Sequence, residues 1–161
     1  IGYFKVEILN ALTPIFFDNK KKLMCITSAM NLIKLLTAEF QENPKIYTLI
    51  NSFFEILSSR NWIKNYIFWE LELLKLVGYD LNINQIVDKE VVNNKIKYYV
   101  KSNTEKKFVP NFLVDIKQED LNNDDLLKGL KLVGDYLEKS ILIPNNISFP
   151  TARLDFVNIL K

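Results

Sequence analysis

Histidine is absent from this sequence, and cysteine occurs once, at Cys25. These two absences exclude a good deal of chemistry. No disulfide can close within the chain, no Cys/His zinc site can be assembled, and neither a Ser-His-Asp nor a Cys-His arrangement is available. A lone cysteine fits a reducing compartment. Glycine and proline are scarce, four and five residues respectively, so long disordered linkers are not expected. No apolar run is long enough to span a bilayer. The longest candidate, Trp62 to Val77, is interrupted by Lys64, Asn65, Glu70, Glu72 and Lys75. No Gly-rich phosphate loop and no paired-carboxylate signature is present.

What is present is apolar surface. Of 161 residues, 48% are hydrophobic, with two Trp, seven Tyr and eleven Phe, enough for one sizeable core. The net charge is +2, so bulk charge argues neither for nor against a nucleic-acid partner. Arg60 and Arg153 are the only arginines beside 19 lysines. Lysine is the default polar residue here, as in proteins from AT-rich genomes, and any single lysine cluster carries less weight for that reason. The first residue is Ile rather than Met, and the chain reads as a fragment.

Along the chain, residues 3 to 8 alternate loosely and favour a strand. A strand this short needs sheet neighbours and is expected to be the last piece of a preceding domain. From Leu23 the period changes to that of a helix, with Ile26, Met30 and Ile33 on one face. Pro44 opens a second helix whose stripe includes Ile46, Phe53 and Leu57. A third, from about Asn61 to Val77, stops at Gly78. It is apolar almost all round. Only Lys64, Phe68, Glu72 and Lys75 share a narrow polar stripe, which predicts a central helix with those four facing solvent. Glu70 lies opposite and is expected to be buried. Residues 80 to 123 lose the helical period. Ile96 to Val100 reads as a strand that can pair with Phe108 and Val109, within an irregular insert. The insert is basic at first, six Lys against three acids from Asp88 to Lys107, then acidic, five acids against one Lys from Asp115 to Asp125. A fourth helix follows, with N-cap candidates at Asn122 to Asp124 and with Gly129 and Gly134 open to close helix contact. Pro150 opens a last short one. The expected fold is mainly α, about five helices with a short irregular or β insert.

Several residues are candidates for function. A carboxylate on an apolar face, Glu70, can be an acid or base with a raised pKa, or a structural group paired with Arg or Lys. No second catalytic group accompanies it, which favours the structural reading, and Arg153 is its expected partner. Lys20, Lys21 and Lys22 form a basic run that can touch phosphates or simply face water. In the insert, Lys95, Lys97, Lys101, Lys106 and Lys107 interleave with Tyr98, Tyr99 and Phe108. Such a pattern can stack bases while holding phosphates, or form a two-faced hairpin with its lysines solvated. Cys25, between Met24 and Ile26, reads as a small buried residue.

The stretch Trp69-Glu70-Leu71-Glu72-Leu73-Leu74-Lys75-Leu76-Val77-Gly78-Tyr79 resembles a segment of the RecO family of bacterial recombination mediators that runs Phe-Glu-Leu-Arg-Leu-Leu, two or three residues, then Gly-Tyr. Asp80 to Gln85 is similar to the family's approach to its first zinc cysteine. Gly134 to Glu138 and Phe149-Pro150-Thr151-Ala152-Arg153 resemble its closing helices, with the Pro-x-x-Arg element, and Gly2 to Glu7 the end of its OB barrel. The resemblance implies residues 1–18 as a remnant of that barrel and linker, and residues 19–161 as a helical domain with its insert at about 80–123. It departs in two places. Ile86 stands where the first of four zinc cysteines is found in many members, so no metal and no other cofactor is expected. Glu72 stands where Arg is common.

The family resemblance implies a cytoplasmic, nucleoid-associated, non-enzymatic protein. It anneals single strands and, with RecR, loads RecA onto DNA coated by single-strand binding protein. The implied partners are RecR, the acidic C-terminal tail of that protein, and single-stranded DNA, the last mostly through the barrel. Neither a membrane nor a small-molecule substrate is implied. An acidic tail ending in an aromatic residue needs an apolar pocket rimmed by cations, for which Lys64, Phe68 and Lys75 are the candidates. The competing class is a helical interaction domain of a regulator or assembly subunit unrelated to repair.

Overall fold

The computed structural model describes residues 11–39, 41–92, 95–101, 106–118 and 121–161; the side chains of Lys95 and Lys101 lie outside that set, as does the strand expected at residues 3 to 8. Helix α1 (Lys20–Leu36) begins earlier than the apolar period suggests, because Asn19 caps it and accepts a hydrogen bond from the Lys22 amide at 3.1 Å. The Lys20–Lys22 run is therefore the first turn of the helix rather than a segment before it. α2 (Pro44–Ser58) is capped in the same way by Asn43, with proline in its first turn, where its missing N–H is harmless.

The third helix, α3 (Trp62–Leu76), ends on Gly78 at φ +94°. There the Tyr79 amide donates to the Leu74 carbonyl at 2.8 Å and that of Gly78 to Lys75 at 3.0 Å. This is a Schellman closure, and it needs a residue that accepts the left-handed conformation. α4 (Ile83–Ile86) is a single turn. Strands β1 (Val87–Val92), β2 (Lys95–Lys101) and β3 (Lys106–Val109) form an antiparallel sheet in the order β1-β2-β3. α5 (Asn123–Leu137) starts at Asn122, which accepts from the Asp125 amide at 2.7 Å. Asp124 and Asp125 complement the dipole of its first turn. A wider π turn and a 3-10 turn, Glu138–Leu142 and Ile143–Asn145, lead to α6 (Thr151–Leu160).

The core is organised around α3. Its Tyr66, Ile67, Trp69, Leu73 and Leu74 are buried, each worth roughly 1.5–3 kcal/mol if fully removed from water. α2 and α5 pack on α3, and α1 packs mainly on α6. Rings from three helices meet at the centre. Trp69 lies 5.1 Å from Phe53 of α2 and 5.8 Å from Tyr66, which contacts Phe156 of α6 edge-on at 5.2 Å. The polar ends of these rings are satisfied: the Trp69 indole N–H donates to the Leu49 carbonyl at 2.8 Å, and the Tyr66 hydroxyl lies 3.1 Å from that of Ser28. The fold is thus mainly helical with a small three-stranded antiparallel sheet. The pairing of Tyr98 and Tyr99 with Val109 and Phe108 is as the sequence suggests; β1 and the single turn α4 are additions to it.

Candidate partner-binding surface

Phe68 is the natural starting point, because it sits between two grooves. It projects from the middle of α3 and meets Phe112 edge-on at 6.2 Å. On one side lies a groove of about 540 Å³, whose lining includes Leu49, Leu71, Glu72, Lys75, Asp80 and Leu81. Its charged residues are one lysine and two acids, and Lys75 stands 3.8 Å from Glu72. On the other side lies a smaller cleft of about 390 Å³, lined among the described residues by Arg60, Lys64, Lys117 and Ile116, with no acidic residue among them.

The three sequence candidates are therefore not one cluster. Lys64 and Lys75 fall on opposite sides of Phe68. Lys64, expected to face solvent, is only 8% exposed. The chain after the sheet folds over it, and its ammonium donates to the carbonyls of Ile116 at 2.6 Å and Gln118 at 2.8 Å. Lys64 thus pins this loop while leaving positive charge in the cleft wall. Ile116 is held outward by the same loop, 64% exposed. Sequence reasoning missed Arg60, Ile116 and Lys117. Arg60 is one of two arginines and immediately precedes α3, a signal that could have been used. Lys117 stands alone in an acidic stretch and gave none.

Glu70 and Arg153 meet in the core at 2% and 3% exposure. The Arg153 guanidinium donates from Nε to Glu70 Oε1 at 2.9 Å and from Nη2 to Oε2 at 2.8 Å, and Nη2 also donates to the Leu130 carbonyl at 2.9 Å. The arrangement ties α6 to both α3 and α5. It fits because position 134 is glycine: a Cβ there would lie 2.9 Å from Nη1. Both carboxylate oxygens are engaged in this fork, so the Glu70 side chain serves as a structural tie. Nearby, burial and the Glu70 charge push the Cys25 thiol well above its ordinary pKa, with Arg153 only partly opposing. This fully buried thiol behaves as a small apolar residue.

The remaining lysine candidates occupy two separate places. Lys20 and Lys21 are exposed on α1, and Lys22 reaches the Phe16 ring at 5.4 Å. Lys97 and Lys106 lie on the sheet, with Lys95 and Lys101 at register positions on the same face. Lys107 points the other way and pairs with Asp135 of α5 at 3.1 Å. The segment from 80 to 123 has no cysteine or histidine to hold the zinc that the family resemblance would imply. Its inner side packs instead through Val109, Phe112 and Leu113, all buried in the common core.

Residues 19–146 match the family described as Recombination protein O C terminal. The DNA repair protein RecO of Rickettsia canadensis is 32% identical over 100 residues, covering 62% of this chain and 41% of that protein. The corresponding protein of Rhodospirillum centenum is 22% identical over 172 residues, covering 98% of this chain and 68% of its own length. That of a Wolbachia strain from Drosophila simulans is 23% identical over 171 residues, covering 95% and 71%. The chain spans about two fifths of the length of the Rickettsia relatives it matches. No solved structure matches it.

Proposed function

The chain belongs to the Recombination protein O C-terminal family, and from that premise we propose that it serves DNA repair and recombination as a partner-docking and auxiliary DNA-binding module. In this reading it works by binding, without catalysis. Annealing of single strands and loading of RecA with RecR belong to the whole protein. The partner docked here is the acidic C-terminal tail of single-strand binding protein.

The observation that carries the docking reading is the cleft beside Phe68, whose described lining brings Arg60, Lys64 and Lys117 together with no acidic residue among them. An acidic peptide with a terminal aromatic residue asks for an apolar floor and a rim of cations. Phe68 and Ile116 supply the first, and Arg60, Lys64 and Lys117 the second. Arginine can grip a carboxylate with two parallel hydrogen bonds, which suits the rim. The groove on the Lys75 side is a poorer fit, because Glu72 and Asp80 oppose an acidic ligand there.

Titration of a labelled peptide of that tail tests this, read by anisotropy. Binding should saturate, weaken with salt, and be lost when the terminal Phe is removed. Combined Arg60→Ala and Lys117→Ala substitution should weaken it about tenfold, the scale of two exposed ion pairs. Phe68→Ala should remove most of it, with circular dichroism confirming the fold. Lys75→Ala should leave it within about twofold. The opposite result, sensitivity to Lys75 with indifference to Arg60 and Lys117, would place the tail in the other groove and refute the assignment.

A further inference from the structure

The outer face of the sheet carries an aromatic pair that the core does not use. Antiparallel register puts Asp88, Tyr99 and Phe108 in one cross-strand row. The neighbouring Val109 is fully buried, so Phe108 and its row face away from the core. The Tyr99 and Phe108 rings meet edge-on at 6.0 Å. Both are half-buried. The Lys106 ammonium stands 4.4 Å from the centre of the Tyr99 ring and is paired with Glu90, while Lys128 of α5 stands 5.4 Å from that of Phe108. Lys97 shares the face opposite Glu90, and Lys95 and Lys101 hold register positions on it. Among the described side chains the face thus presents Lys97, Lys106 and Lys128 around the two rings, with Asp88 and Glu90 as the acids of the same strands.

We propose that this face is a stacking platform for single-stranded DNA, with Tyr99 and Phe108 each taking a base and Lys97, Lys106 and Lys128 taking the adjoining phosphates. A flat ring accepts the face of any base, and a lysine beside it meets the phosphate that follows. Lys106 and Lys128 now occupy the positions over the rings that bases would take. Both side chains are about half exposed, so their ion pairs with Glu90 and Asp124 are readily exchanged. A base arriving on Tyr99 displaces the Lys106 ammonium sideways, toward the backbone of the same strand. A duplex would offer this face only phosphates, since its bases are already stacked and paired. The inference deepens the auxiliary DNA-binding part of the function proposed above and rests on it for the choice of DNA.

The test is binding of a short labelled oligothymidylate to the chain, alongside a duplex of equal length and the acidic peptide. Tyr99→Ala and Phe108→Ala should each weaken oligothymidylate binding roughly tenfold. Tyr99→Phe and Phe108→Tyr, which keep a flat ring, should restore it, whereas Phe108→Leu should not. Tyr47→Ala, which removes an exposed ring on α2, should change nothing. Lys97→Ala or Lys128→Ala should shallow the salt dependence. In a Tyr99→Trp variant the new indole emission should be quenched as the oligonucleotide binds. Unchanged affinity in a folded Tyr99→Ala, Phe108→Ala double variant would overturn the platform, as would equal ring-independent binding of the duplex or no binding at all. Peptide affinity on the same samples separates the two proposals: docking retained while DNA binding fails would refute the platform alone.

Discussion

Replacing Arg153 with alanine is expected to destabilise the protein by about 3–5 kcal/mol, because it strands the Glu70 carboxylate in the core without a partner. Glu70 has no route to water at 2% exposure, and the two donors it loses are the ones at 2.9 and 2.8 Å. The Leu130 carbonyl loses a donor as well. A loss of this size is a large part of the roughly 5–15 kcal/mol that holds a typical domain together. Urea unfolding should show it directly. Trp62 lies 6.2 Å from Phe156 and reports on α6, while buried Trp69 reports on the centre. Arg153→Lys should be milder yet still costly, because an ammonium cannot reproduce the paired N–H geometry of the guanidinium. The decisive comparison is the double variant Glu70→Leu with Arg153→Met. With both charges gone, no buried charge is left without a partner, the Leu130 carbonyl keeps its place in the α5 helix, and most of the lost stability should return. Should Arg153→Ala alone cost less than about 1 kcal/mol, the pair would be a passive feature rather than the tie between α6, α3 and α5.

That pair also shows what could be read in advance. Helix periodicity places Glu70 opposite the polar stripe of α3, and a carboxylate so placed needs a cation. Arg153 is one of two arginines, within the Pro-x-x-Arg element whose family resemblance singles it out. The same periodicity misplaces Lys64. An angular position on a helix says which way a side chain leaves the axis, but not what the chain folds over it 52 and 54 residues later. The loop at 116–118 is held by backbone carbonyls, which leave no trace in residue identity. β1 escapes notice for another reason. One face carries Val87, Lys89 and Val91 and the other Asp88, Glu90 and Val92, so neither is uniformly apolar. Pairing with β2 decides that strand, and pairing is a tertiary fact. The lysine-aromatic mixture of the insert is plain in the sequence. Register then sorts it, turning Tyr98 inward and Tyr99 outward.

Phe112→Ala should produce a loss of similar size, about 3–5 kcal/mol, through the cavity left by a fully buried ring. Its wider effect follows from position. Phe112 lies in the 3-10 turn after β3, touches Phe68 edge-on, and packs directly on Gly129 of α5. A Cβ at position 129 would lie 2.7 Å from Phe112 Cζ and 3.3 Å from Ile67 Cδ1, so this glycine is required by the ring that covers it. Alanine is the better helix former by about 1 kcal/mol, yet Gly129→Ala in the wild-type background should cost about 1–3 kcal/mol by overpacking. In the Phe112→Ala background the obstruction has gone. There the same substitution should become neutral, or stabilising by up to about 1 kcal/mol. The change of sign is the measurement, made as a double-mutant cycle by urea unfolding. Strict additivity would mean that α5 shifts to accommodate the methyl group in either background and that Phe112 does not set its distance from α3. Because Phe112 also supports Phe68, the Phe112→Ala variant should bind the acidic peptide more weakly even in the fraction that remains folded. Gly129→Ala should do the same to a lesser degree, since it moves the ring without removing it.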